Sequence, residues 1–169
     1  MNIKGLTIIR NAIPDHKNIL EKIDQFEWSN VLKRRTQHYG AIYNYQSRSL
    51  SFTCPKIESN EVINDLSKRL SLLCNMDNNF TQCIINEYKK KQSISPHIDA
   101  FIFGSIIAIV TLGDAGILIF EKGDSSVEIE VKPGDVMILK DDARYKYKHS
   151  TKPFSNSGYR RVSATFRTF

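Results

Sequence analysis

His97-Ile98-Asp99 sets an imidazole and a carboxylate two residues apart. In an extended segment alternate residues point to the same side, so both can face one metal ion. A single His-x-Asp pair is common on protein surfaces and says little by itself. The chain has only four histidines, however, and His16 and His38 lie far upstream, which leaves His149 as the natural third ligand. Two imidazoles and one carboxylate on one face of a metal leave three octahedral positions open, the arrangement that suits oxygen chemistry at non-haem Fe(II).

Arg161-Val162-Ser163-Ala164-Thr165-Phe166-Arg167 adds a second signal. Read as a strand, it puts Arg161, Ser163, Thr165 and Arg167 on one face and Val162, Ala164 and Phe166 on the other. Two guanidinium groups directed inward are costly unless each meets an anion. A dicarboxylic ligand with a charge at either end would satisfy both. Arg160, on the opposite face, is expected in solvent.

These residues need a scaffold. At 169 residues, with 41% hydrophobic and 25% charged side chains, the sequence has the texture of one folded domain. Wholesale disorder, collagen-like repeats and coiled-coil rods are excluded. No apolar run approaches the roughly 18 residues of a membrane-spanning helix. Met1-Asn2-Ile3-Lys4-Gly5 lacks the basic, apolar and small-residue sections of a secretory signal, so an intracellular location, cytoplasmic or nuclear, is expected. Cys54, Cys74 and Cys83 are scattered without a CxxC pair, which argues for free thiols rather than a disulfide framework or a zinc knuckle. The net charge of +6 favours polyanionic partners, though a soluble basic surface accounts for it equally well. A monomer is expected.

Along the chain, Leu6 to Ile9 reads as a strand, and Pro14 opens a helix predicted through Trp28, with Ile19, Leu20, Ile23 and Phe26 on one face. Asn60 is a good cap for a second helix carrying Val62, Ile63, Leu66, Leu70 and Leu73. From Phe80 onward the texture changes to short β runs. Cys83–Tyr88, Ile106–Leu112, Gly116–Phe120, Val127–Val131, Val136–Leu139, Arg144–His149 and Arg161–Phe169 all read as strands, with turns at Gly113-Asp114, Gly123-Asp124 and Pro133-Gly134-Asp135. Short, evenly spaced strands predict a sandwich or barrel rather than a parallel sheet, in a mainly β chain (α+β) whose N-terminal helices cover one face.

With these motifs in order, the chain resembles the AlkB family of Fe(II)- and 2-oxoglutarate-dependent dioxygenases. The resemblance covers roughly residues 81–169: Asn86-x-Tyr88, then His97-x-Asp99, then His149, then Arg161 followed by Arg167 within Arg-x-Ser-x-Thr-Phe-Arg. It implies a double-stranded β-helix (jelly roll) core over residues 80–169, with residues 1–79 as helical support and substrate lid within a single domain. It implies that His97, Asp99 and His149 bind Fe(II) and act in catalysis, and that Asn86, Tyr88, Arg161, Ser163 and Arg167 hold the cosubstrate 2-oxoglutarate. O2 would take the last metal position, with release of succinate and CO2 and oxidation of a substrate C–H bond. Ile107, Ile109 and Leu118 are candidate walls around the metal, although any jelly-roll core needs such residues.

The family does not fix the substrate. Gln37-His38-Tyr39-Gly40, followed by Tyr43 and Tyr45, resembles the nucleotide-recognition lid of AlkB homologues, in particular their tRNA-modifying branch. Tyrosines interleaved with Lys33, Arg34, Arg35 and Arg48 would let bases stack while phosphates are neutralised. A hairpin whose tyrosines merely cover the core is the plain alternative. One departure bears on repair activity: the segment after His97-Ile98-Asp99 is Ala100-Phe101-Ile102-Phe103-Gly104, without the acidic residues that the DNA-repair members carry there. Hydroxylation or oxidative demethylation of a nucleic-acid base, in alkylated DNA or RNA or in tRNA, is the expected function. Action on a protein, or a non-catalytic basic nucleic-acid-binding jelly roll, are the alternatives.

Overall fold

The computed structural model describes residues 2–169. In chain order the elements are β1 (Leu6–Ile9), α1 (His16–Ile23), β2 (Thr36–Tyr39), β3 (Ile42–Asn44), β4 (Ser49–Ser51), a 3-10 turn (Ile57–Ser59), α2 (Glu61–Leu73), β5 (Gln82–Lys89), β6 (Ile107–Gly113), β7 (Gly116–Lys122), β8 (Ser125–Val131), β9 (Val136–Leu139), α3 (Asp141–Tyr145), β10 (Lys148–Thr151) and β11 (Arg160–Arg167). Six strands form the larger sheet in the order β1-β9-β6-β11-β5-β2, and β10-β7-β8 form the smaller one. Every named pairing is antiparallel. This is a jelly roll, with β1 and β2 extending the larger sheet at its two edges.

Strand alternation divides the interior into two cores. On one face of the larger sheet Ala108, Val110, Leu112, Val162, Ala164 and Phe166 pack under Ile19 and Ile23 of α1 and Ile63, Leu66 and Leu70 of α2. On the other face Ile107, Ile109, Met137 and Leu139 meet Leu118, Phe120 and Val131 of the smaller sheet. Helix α2 begins where the Asn60 side chain accepts the Val62 and Ile63 amides, at 3.1 and 3.2 Å. Gly40 turns the chain between β2 and β3 at φ +82°, a conformation that costs a glycine little.

Three expectations from the sequence need correction. The first helix stops at Ile23 instead of reaching Trp28, because the Gln25 and Phe26 amides bond to the carbonyls three residues back, Lys22 and Ile23, and tighten the chain into turns. Residues Arg144–His149 are not one strand. Helix α3 occupies Asp141–Tyr145, held by an Asp142–Lys146 ion pair at 3.0 Å, and only Lys148–Thr151 pair with β7. Arg160 is not loose in solvent: it pairs with Asp24 beyond the end of α1 at 2.6 Å and with buried Glu87 at 2.7 Å.

Candidate active site

The predicted metal ligands converge between the two sheets. His97 and His149 form an antiparallel bridge, each amide bonding to the other's carbonyl at 3.1 and 2.9 Å. Their rings stand 4.4 Å apart. Asp99 lies in the loop beyond, 4% exposed, with Oδ1 at 3.2 Å from His97 Nε2 and 3.6 Å from His149 Nε2. The three donor atoms lie within 4.8 Å of one another. The His97 Nδ1 is 2.8 Å from the Ser95 carbonyl, a contact that leaves Nε2 free to ligate.

Charge state suits this donor set to a divalent cation. Burial pushes the Asp99 carboxyl up, but Arg167, His97 and His149 outweigh it and hold the group well below the usual carboxylate range. Burial drives His149 down to about 4; His97, Arg167 and Arg144 act in the same direction and Asp99 opposes them. At neutral pH the site therefore offers an anionic oxygen and a neutral buried imidazole, as metal binding requires.

The two inward arginines differ in their partners. Arg167 Nε donates to Asp99 Oδ2 at 2.6 Å and Nη1 to Gln82 Oε1 at 3.0 Å, while its guanidinium lies 4.8 Å from the Phe103 ring centre. Arg161 is 2% exposed and has no carboxylate partner among the described residues. Its Nη2 reaches Thr111 Oγ1 at 3.1 Å, its guanidinium stands 5.6 Å from the Tyr88 ring centre, and its buried Nε is unpaired. A buried guanidinium that borders a cleft and has no carboxylate partner suits an anionic ligand. Gly116 makes room for its shaft: a β-carbon there would stand 2.5 Å from Arg161 Cδ. The same cleft is lined by Asn86, Tyr88 and Ser163, with Ile109 and Leu118 on its walls. Ile107 is instead part of the packed core.

The candidate substrate residues separate by strand parity. Thr36 and His38 lie on the face of β2 that carries Asn86 and Ile84 on β5, and Arg34, just before the strand, donates from Nε to Asn86 Oδ1 at 2.9 Å. His38 is partly buried with Nδ1 unpaired; burial, then Arg167 and Arg34, lower its pKa. Gln37 and Tyr39 point the other way and are structural: Gln37 Nε2 donates to the Ile23 carbonyl at 3.0 Å, and the Tyr39 hydroxyl donates to Gln37 Oε1 at 2.9 Å. Arg35 is also turned away from the cleft. It pairs with Glu87 at 2.7 Å and covers the Trp28 ring at 5.0 Å. Lys33 and Arg48 are exposed, Arg48 at the β3–β4 turn.

Tyr43 and Tyr45 do reach the mouth. Tyr45 meets Tyr43 edge-on at 4.9 Å, and Tyr43 lies 5.8 Å from Phe103. A continuous series of side chains thus runs from Asp99 through Arg167, Phe103 and Tyr43 to Tyr45, which is 74% exposed. Phe103 was not marked by the sequence motifs, since Ala100–Gly104 stood out only for its missing acids. Arg144 was hidden by the reading of its segment as a strand. The signal for the latter was Asp141-Asp142, two acids at a helix start.

Comparisons with known proteins agree with this geometry. The profile of the 2OG-Fe(II) oxygenase superfamily matches residues 9–167. The uncharacterized protein L905 of Acanthamoeba polyphaga mimivirus is 32% identical over 165 residues, covering 90% of this chain and 75% of that protein. The alkylated DNA repair protein ALKBH8 homolog of Arabidopsis thaliana is 27% identical over 176 residues, covering 88% of this chain; the chain spans about half, 51%, of that longer protein. Among solved structures, OsALKBH1 superposes with a TM-score of 0.74 at 14% identity, covering 100% of this chain and 98% of that one. A Trichoplax adhaerens prolyl hydroxylase in complex with a hypoxia inducible factor peptide superposes with a TM-score of 0.68, also at 14% identity, covering 97% of this chain and 83% of that one. At that identity the likeness concerns the fold. No helix among the described residues is long and apolar enough to cross a membrane. The match over residues 9–167 shows that the chain belongs to the 2OG-Fe(II) oxygenase superfamily, oxidoreductases that use Fe(II), 2-oxoglutarate and O2.

Proposed function

We propose that the chain oxidises a base of a nucleic acid, by hydroxylation or oxidative demethylation of RNA or DNA, with His97, Asp99 and His149 as the iron ligands. The observation that carries this reading is the aromatic series from Phe103 through Tyr43 to exposed Tyr45, which leads from the metal ligands to the surface. A flipped or unpaired base presents a flat face to such rings, and stacking contributes about 1–3 kcal/mol per base. Arg34, at the inner end of the lid segment, supplies a cation beside the cleft, and the net charge of +6 favours a polyanion. The Arabidopsis relative bears the name of an alkylated DNA repair protein, which supports the same substrate class.

Bound Fe(II) with 2-oxoglutarate and O2 supplies oxidation of a C–H bond, with release of succinate and CO2. The chain's own part is positioning. The Ser95 carbonyl fixes the His97 tautomer, and Arg167 holds one oxygen of Asp99 so that the other faces the histidines. Arg161 would receive one carboxylate of 2-oxoglutarate, and Asn86, Tyr88 and Ser163, which line the same cleft, would border the cosubstrate. Ile109 and Leu118 keep water from the reacting atoms.

The test is incubation with Fe(II), 2-oxoglutarate and a mixed pool of tRNA and alkylated oligonucleotides, followed by nucleoside mass spectrometry. A hydroxylated or demethylated nucleoside formed together with succinate is the expected result. Succinate production without change in any nucleoside contradicts the nucleic-acid assignment.

A further inference from the structure

Arg144 is among the most deeply buried large side chains of the protein, at 2% exposure, and no carboxylate pairs with it among the described residues. Its guanidinium instead donates to four backbone carbonyls of one loop. Nη1 reaches the Asp99 carbonyl at 2.9 Å, Nη2 reaches those of Ala100 and Phe103 at 2.9 and 3.1 Å, and Nε reaches that of Gly104 at 3.1 Å. A buried cation facing only neutral acceptors carries a desolvation cost that a methionine of similar volume would avoid. Something specific offsets that cost.

The loop itself explains the choice. The Phe103 amide bonds to the Ala100 carbonyl at 3.1 Å, a turn whose flanking carbonyls at residues 99, 100, 103 and 104 all face Arg144. Inward carbonyls need donors. A planar fork of five N–H groups can serve four of them at once, whereas a lysine concentrates three donors at one point. Arg144 in turn sits on α3, the helix that leads into β10 and His149. That helix is tied down independently, since the Ala143 amide bonds to the Lys4 carbonyl at 3.0 Å.

We propose that Arg144 is a positioning residue for the metal centre, because its guanidinium fastens the Asp99–Gly104 loop to the helix that delivers His149. This rests on the assignment of His97, Asp99 and His149 as metal ligands. Two guanidinium groups then hold Asp99: Arg144 fixes its main chain and Arg167 its carboxylate. The same clamp fixes the backbone of Phe103, whose ring carries both Arg167 and Tyr43. Loss of the fork would let the loop relax, widening the spread of the ligand atoms and unseating the first ring of the path to the surface.

The experiment measures Co(II) affinity and the Co(II) absorption spectrum of the full chain for the wild type, Arg144→Lys, Arg144→Met and Arg144→Ala, beside apo-protein melting temperatures. Lys keeps the charge and loses the fork. Both Lys and Met variants are expected to bind Co(II) at least about tenfold more weakly, the usual effect of removing an outer-shell partner. Their absorption bands at saturating metal should be shifted, a signature that lower stability alone does not produce. Added guanidinium ion should restore affinity to the Ala variant. Co(II) affinity within twofold of wild type in any folded variant, with an unchanged spectrum, overturns the proposal. Variants that fail to fold at every temperature and are not recovered by guanidinium also overturn it, in favour of a purely structural role. Asp99→Ala is measured in parallel: if it binds Co(II) as well as wild type, the ligand assignment itself fails and the proposal with it, whereas weakened binding in Asp99→Ala beside unchanged binding in the Arg144 variants overturns the role of Arg144 alone.

Discussion

Arg167 Nε stands 2.6 Å from Asp99 Oδ2, while Oδ1 of the same carboxylate faces His97 and His149 at 3.2 and 3.6 Å. One oxygen is held by protein and the other is left for a metal. Arg167→Lys retains a charge but cannot reach Asp99, Gln82 and the Phe103 face together. It is expected to weaken Mn(II) binding by about 10- to 100-fold in a competition titration. Arg167→Met leaves a buried carboxylate without its partner, and urea unfolding of the apo-protein should show a loss of about 3–5 kcal/mol.

Arg161 reaches its place only because residue 116 has no side chain. Gly116→Ala should displace the guanidinium without touching any metal ligand. The apparent KM for 2-oxoglutarate should rise about tenfold or more, measured by succinate release, with Mn(II) affinity within twofold of wild type. Equal losses in both would place Arg161 in the metal centre and not at the distal end of the cosubstrate.

Glu87 gives the fold an acid limit. Burial raises its carboxyl, but hydrogen bonds from Arg35 and Arg160 prevail and lower it from 4.5 to about 2. A carboxylate with a folded pKa below its unfolded one stabilises the protein fully above pH 4.5, and that stability is lost as the pH falls through 4.5 toward 2. Because both arginines are partly exposed, the contribution is on the order of 2 kcal/mol. Glu87→Gln should lower stability at neutral pH by that amount and flatten this part of the acid-unfolding profile, as followed by circular dichroism.

Much of the site was legible because period-two alternation is strict where a strand is buried on both faces. Arg161-x-Ser163-x-Thr165-x-Arg167 lines the cleft and Val162, Ala164 and Phe166 enter the helix-facing core, as their order requires. The lid was less legible for the same reason applied to a different strand. Gln37, His38 and Tyr39 look alike as polar or aromatic neighbours, yet β2 puts His38 on the face that carries Asn86 and turns its two neighbours toward α1 and α2. Which parity faces the cleft is set by the pairing of Thr36 with Asn86, a contact between distant segments. Arg144 escaped notice because a residue that serves carbonyls across 40 or more positions of chain leaves no local pattern.

The lid assignment predicts a division of effects. Tyr43→Ala and Tyr45→Ala should each weaken binding of a nucleic-acid substrate by about 5- to 160-fold, corresponding to 1–3 kcal/mol per stacked base, and leave the melting temperature nearly unchanged. Gln37→Ala should do the reverse. It removes buried hydrogen bonds to Ile23 and Tyr39 and should cost about 1–3 kcal/mol of stability without altering substrate affinity. Fluorescence anisotropy with a labelled oligonucleotide, read beside thermal melts, separates the two classes.

Iron held by His97, Asp99 and His149, with 2-oxoglutarate held beside it by Arg161, has a spectroscopic signature. Anaerobic addition of Fe(II) and then 2-oxoglutarate to the full chain tests this most directly. The expected result is a weak visible charge-transfer band that saturates at one equivalent of each, is absent in Asp99→Ala, and in Arg161→Gln needs about tenfold or more additional 2-oxoglutarate. A wild-type protein that shows no such band, or an Asp99→Ala variant that shows it undiminished, would mean that these residues do not hold the metal and cosubstrate.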